Sequence, residues 1–432
     1  MKDTTTNCKK LNSIKTAIWL YFFLWIFEGA LRKWVLPSLA TPLLVVRDPI
    51  AIFIIARAIY LNVRFLNGYV VFSCIITLLA LIVTLTFGHA NLFVGIYGAR
   101  IMLLHFPLIF IIGAVFTKKD ILKMGYALLA VNILMTLIVY LQFISPQSAL
   151  INRGIGGEGS AGFSGAMGYF RPPGTFSFIT GLASFYILVS VFVFYFWLSK
   201  ERVSRILLYT STLALIFSLP LTVSRTAVGG VILVGVFAFI GSATSFKKIM
   251  KVALTIVVLV GLFAILQSTT TVFNLGTEVF MSRVDTASGQ SGGFEESFFS
   301  RVLGDFVRPI VNLLNMPLFV GKLGMGTNAG AQMLSGTNTF LIAEDELGRV
   351  GGEQGLLLGG GLIFLRLVLA VNLFLKSIRL PQEDKILPIT FCGTALYLII
   401  LGQWAQPSML GCSVLTVGLL VASLNMNLKP EK

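Results

Sequence analysis

Long apolar runs alternate with short polar connections along this chain, and the runs have the length of a bilayer crossing. They fall at 16–27, 43–61, 69–87, 101–116, 124–144, 175–198, 206–223, 226–244, 252–269, 353–375, 386–402 and 407–424. The pattern predicts an all-α polytopic membrane protein of about 12 transmembrane helices, with residues 1–432 forming a single integral membrane domain. A transmembrane barrel would alternate apolar and polar residues over about ten positions, which an uninterrupted run such as 69–87 does not do. Two polar intervals are long enough to be more than connections: 270–352, expected as a long periplasmic loop, and 145–174, a second loop on the same face.

Composition narrows the class. With 56% hydrophobic and 12% charged residues and a mean hydropathy of +0.89, the chain is not a soluble globular protein. The net charge of +15 would suggest nucleic acid in a soluble protein. Here it has a topological meaning, since Lys and Arg accumulate on the cytoplasmic side of spans, and no nucleic-acid partner is expected. Lys2, Lys9, Lys10 and Lys15 before an apolar run resemble the opening of a signal peptide, but the run ends in Glu28 and LRKW without a small-residue cleavage site and reads as a retained first span. The four cysteines, Cys8, Cys74, Cys392 and Cys412, imply no disulfide framework. His89 and His105 are too few for a zinc cluster.

The basic residues are sorted by type. One set of connections holds fifteen Lys and five Arg, and the positive-inside rule makes that face, with both termini, cytoplasmic. The opposite set holds ten Arg and two Lys, with Arg366 left inside a span. Topology needs only positive charge, so it does not explain a preference for the planar guanidinium that grips phosphates and carboxylates bidentately. The sorting points to an outward-facing site for an anionic, phosphorylated ligand.

Four stretches carry candidate chemistry. In EGALRKWVLPSLATPLLVVRDP, Lys33 and Trp34 fit an interfacial belt, whereas Arg32, Arg47 and Asp48 at a span entrance need partners. The glycine-dense 145–174 loop reads as a flexible flap that ends in Arg171-Pro172-Pro173-Gly174-Thr175, placing Arg171 beside a helix N-terminus suited to an anion. The tight Ser224-Arg225-Thr226 turn fixes Arg225 near membrane depth. In AEDELGRVGGEQG, a helix would align Glu346, Arg349 and Glu353 on one face, although Gly348, Gly351 and Gly352 weaken that expectation. A carboxylate held near Arg there would accept a proton from an attacking hydroxyl, and the acidic trio also has the oxygen ligands for a divalent cation. Gly355 and Gly359 to Gly361 give small-residue spacing for close packing of the next span. GKLGMGTNAG does not match a nucleotide loop.

RPPGTFSF, SRT and AEDELGRVGGEQGLLLG, with FEGALRKWVLP and VRDP near the start, resemble the O-antigen ligase and O-antigen polymerase superfamily over nearly the whole chain. The resemblance implies a bacterial inner-membrane glycosyltransferase of the lipid-carrier-dependent fold. Such an enzyme transfers a glycan from undecaprenyl pyrophosphate to an acceptor hydroxyl on the periplasmic face, without cofactor, metal or nucleotide. By the same resemblance, Arg171 and Arg225 match the family's loop arginines and Glu353-Gln354-Gly355 its acidic-glycine motif; with the charge pattern added, Arg171, Arg225, Arg32 and Arg47 are expected to bind the pyrophosphate, and Glu346, Glu353 and Arg349 to form the catalytic group. Thr337 precedes Asn338 where the ligases carry a His, and the polymerases' paired arginine-glycine motif is not reproduced, since the eleventh residue after Arg171 is Leu182. A transporter or flippase of lipid-linked saccharides is the alternative, because it too would use cationic residues. The expected arrangement is an acidic half, Glu346 to Glu353, closing as a glycine-hinged lid over a cationic half made by Arg171 and Arg225.

Overall fold

The computed structural model describes residues 2–157, 159, 162–242, 246–289, 304, 307–336 and 341–425. Thr337 and Asn338 lie outside the described residues. Helix α1 (Lys2–Ala30) continues into a π-helical turn at Leu31–Val35 and is followed by α2 (Asp48–Tyr60) and α3 (Gly68–Phe87). Next come α4 (Leu92–Arg100), a second π turn at Ile101–His105, α5 (Phe106–Val115) and α6 (Lys118–Ile144). A two-stranded hairpin of β1 (Phe163–Ser164) and β2 (Phe170–Arg171) leads to α7 (Ile179–Leu198), α8 (Arg205–Leu221), α9 (Arg225–Ser242), α10 (Phe246–Thr269) and α11 (Thr271–Gly289). The described part closes with α12 (Asn328–Ser335), α13 (Glu346–Arg379), α14 (Ile386–Ile400) and α15 (Pro407–Leu424).

The helix starts are written in the sequence. Asn67, Asn91, Ser204, Thr327 and Asp345 each cap a helix by accepting a hydrogen bond from a first-turn N–H. Thr117 and Asp120 form a reciprocal capping box at α6.

Among the described residues, eight helical segments are long and apolar enough to cross a membrane. The twelve predicted runs all fall on helices, but α2, α8 and α14 have only 13, 17 and 15 residues. At about 1.5 Å per residue these are shorter than a hydrocarbon core of about 30 Å. Burial separates centre from rim: 83% of the α7 span is buried, against 33% of the α3 span. Helix α3 buries Val70, Ser73, Ile76, Thr77, Ala80 and Thr84, while Phe72, Ile75, Leu79 and Ile82 are exposed. An apolar outer face with hydroxyls turned inward suits lipid as solvent, not water.

The interval 270–352 is not only loop, because it contains α11, which packs on α8 and α10, and α12, which packs on α4. The 145–174 loop differs from the flexible flap its glycines suggest. Asn152, 2% exposed, donates to the carbonyls of Gln142, Ser145 and Pro146 at 3.1 Å each. Gln142 then holds Gly174 through both its N–H and its carbonyl. Two side-chain amides thus pin both ends of the loop to α6.

Candidate functional site

The arginine-rich end holds three distinct groups of charge. The first is organised by the two π turns, whose extra residue per turn rotates polar side chains into the bundle and is frequent at functional sites. Arg32 pairs with Glu28 at 3.6 Å and donates to the Ala40 carbonyl and the Ser177 hydroxyl. Arg47 pairs with the other Glu28 oxygen at 3.3 Å and also donates to the Pro407 carbonyl. From there the network runs through Tyr21 Oη to His105 Nδ1, from His105 Nε2 to Asp48 at 2.9 Å, and on to Arg100 at 2.7 Å. Arg32 and Arg47 are therefore brought together, but each is buried and held by the chain itself. Lys33 is no interfacial anchor. It is 1% exposed and donates to the carbonyls of Gly174 and Phe176.

The second group lies on α13. Asp345 caps the helix, so Glu346, Arg349 and Glu353 do share a face despite the intervening glycines. Arg349 donates to both oxygens of Glu346, at 3.0 and 2.8 Å, and to Glu353 at 2.7 Å. Arg366 reaches the same Glu346 at 2.8 Å. Twenty positions along a straight helix span about 30 Å, so this contact requires the chain to double back. Gly355, at φ +83° and ψ −175°, supplies the break. The N–H groups freed there are taken by the Pro317 and Leu318 carbonyls. Gly359 serves this hairpin rather than a neighbouring span, since an added Cβ would lie 2.7 Å from the Val350 carbonyl.

These carboxylates are not a solvated lid. Glu346 is 2% and Glu353 0% exposed. Glu346 also accepts from Trp404 N, and Glu353 accepts from Gly326 N. A group with that many charge-assisted partners is fixed in place, and both acids hold Arg349. Among the described residues no three His, Cys, Asp or Glu side chains group as metal ligands. Trp404 links the first two groups, with Arg366 over its ring at 4.4 Å and Phe106 beside it at 6.0 Å.

The third group is cationic. Arg171 is not at a helix N-terminus, because α7 begins only at Ile179. It sits on β2, opposite Phe163 of β1. Burial, Arg283 and Arg225 together push its guanidinium down to about 10. Among the described residues no carboxylate pairs with it, and its Nε is buried without a hydrogen-bond partner. Arg225 opens α9, where the Ser224 hydroxyl accepts from the Ala227 N–H, and the tight turn is forced by Val223 at φ +47°. Arg283, on α11, donates to the Ser164 and Gly165 carbonyls at 3.2 Å, tying the helix to the hairpin. Arg171 thus lies within electrostatic range of Arg225 and of Arg283. Among the described residues, no hydrogen bond or ion pair joins Arg171 to Glu346 or Glu353; their basic partners are Arg349 and Arg366.

Arg283 was one of ten arginines on its face in the sequence, with no motif to single it out. The QWAQP stretch was missed too: Gln403 donates to the Glu344 carbonyl, and Gln406 accepts from Thr180. Two glutamines flanking a tryptophan between apolar helices were the available signal. Beside the first segment of α13 lies a cavity of about 340 Å³, whose walls include Arg308, Asn312, Asp345 and Gly348. Compared with known proteins, the chain matches no family model, no curated protein and no solved structure.

Proposed function

We propose that this chain is a membrane glycosyltransferase that takes a glycan from undecaprenyl pyrophosphate and passes it to an acceptor hydroxyl, in the manner of the O-antigen ligases and polymerases that its motifs resemble. The observation that carries the reading is the convergence of Arg225 and Arg283 on Arg171, whose buried Nε has no partner. Crowded guanidinium groups disfavour one another unless an anion sits among them. A pyrophosphate offers the density of charge and the oxygen geometry they match.

In this reading the acceptor hydroxyl attacks the anomeric carbon as the bond to pyrophosphate breaks, its proton passes to water, and Arg171 and Arg225 stabilise the charge that develops on the leaving oxygen. The finer topology of twelve crossings, with both termini cytoplasmic and the arginine-rich end periplasmic, belongs to this proposal and follows from the charge sorting. The membrane is the bacterial inner membrane.

One observation favours the second reading, a transporter or flippase of lipid-linked saccharides. Transporters place charged groups at discontinuous helices within the bilayer, and α13 is broken at Gly355 with Arg366 inside its span. Purified protein reconstituted with labelled lipid-pyrophosphate glycan decides between them. Label moving onto an acceptor sugar supports the transferase, whereas lipid crossing the bilayer with no new glycosidic bond supports the transporter.

A further inference from the structure

We propose a binding site for the phosphate head of an anionic phospholipid at the lysine-rich end of the bundle, in the cleft where α3 begins and α5, α13 and α15 end. It is independent of the reading above. The cleft encloses about 300 Å³, the scale of a small-ligand site.

Its chemistry changes with depth. At the mouth stand Arg64, just before α3, and Lys376, in the last turn of α13. Both are exposed, and no ion pair among the described residues involves either. Next comes a polar ledge. Asn67 caps α3 by accepting from the N–H groups of Tyr69 and Val70, and Asn372, one turn before Lys376, donates to Tyr69 Oη at 2.7 Å. A Cβ added at Gly68 would meet nothing within 4 Å, so the ledge has open space beside it. Deeper still the walls are apolar: Phe110, lying parallel to Tyr69 at 6.3 Å, with Leu369 and Val421.

Two cations over a polar ledge over an apolar wall is the profile of a lipid's phosphate, glycerol backbone and acyl chains. The setting agrees, since the outer face of α3 beside the cleft exposes Phe72, Ile75 and Leu79 to the bilayer. A free phosphate would use the cations but leave the apolar wall without purpose, so the site is assigned to a lipid of the leaflet on this face. Basic residues at a membrane surface attract anionic headgroups additively.

The test uses the full-length protein in nanodiscs of phosphatidylethanolamine, titrated with phosphatidylglycerol and read by native mass spectrometry. One phosphatidylglycerol is expected to be retained, and the R64A/K376A double variant should weaken its retention about thirtyfold. The charge-reversed R64E/K376E variant should abolish it, while R64K keeps it. Both residues are exposed, so these changes act on the surface and not on packing. The proposal is overturned by equal retention in wild type and R64A/K376A, by equal retention of phosphatidylethanolamine, or by release of the lipid with millimolar inorganic phosphate.

Discussion

Arg349 and Arg171 both sit at the arginine-rich end of this protein, yet the fold treats them in opposite ways. Arg349 gives hydrogen bonds to two buried carboxylates and belongs to a balanced set of two glutamates and two arginines. Arg171 has two other arginines for electrostatic company and, among the described residues, no carboxylate paired with it. The difference separates two uses of buried charge. A cation whose counter-charge is supplied by the chain holds architecture. One with no acid paired to it among the described residues is, in the function proposed above, the place for an anion that arrives.

Substitutions on each side can break or sharpen that division. The largest effect is expected at Glu346, where alanine leaves Arg349 and Arg366 without their shared acid; breaking a buried pair in this way costs about 3–5 kcal/mol. Glu346→Ala should fail to give a monodisperse, cooperatively melting protein in detergent. A Glu346→Ala protein that melts as wild type but has lost transfer would move this acid from architecture to chemistry.

Arg171→Ala should do the reverse, lowering glycan transfer by about 100-fold or more, the usual cost of one donor to a developing oxyanion, with the melting temperature unchanged or slightly raised. The rise follows because the cation it removes is disfavoured by burial and by its two arginine neighbours. Normal transfer by this variant would remove the assignment of the site.

Gly355→Ala tests the hairpin between the two regions. A left-handed φ and the nearby Pro317 and Leu318 carbonyls should make it destabilising by about 1–3 kcal/mol, seen as a lower denaturation midpoint. The smallest effect is expected with Arg283→Lys, which keeps the charge but replaces with a shorter, more freely rotating ammonium the single Nη1 that donates to both the Ser164 and Gly165 carbonyls. Transfer should fall by less than about tenfold, with most of the change in KM.

The sequence carried the helices well, because apolar runs and capping residues such as Asn67 and Thr117 act locally. The apolar runs did not reveal that α2, α8 and α14 have only 13, 17 and 15 residues, since a window of hydropathy blurs its own ends. The arginine sorting was legible as an excess of one side chain on one face, and it led to Arg171 and Arg225. It could not separate them from Arg32 and Arg47, which share the single Glu28 carboxylate beside a π turn at Leu31–Val35 that no local pattern announces. The doubling back of α13 was hidden for a similar reason. Glu346, Arg349 and Glu353 obey helical spacing, but the partner that turns them inward is Arg366, beyond a glycine whose φ is set by the fold.

The contact between Glu346 and the backbone of Trp404 has a consequence for biogenesis. The segment 346–354 carries two acids and an arginine, and placing each such charge in a bilayer alone costs about 2.5–3.5 kcal/mol. During synthesis it emerges before Arg366, and well before Trp404. It therefore gains its full set of partners only after the last two helices have followed it into the membrane. Chains interrupted between α13 and α15 would hold an acid-bearing half-helix with nowhere to settle, which makes that interval the natural point for quality-control proteases to distinguish finished from unfinished copies.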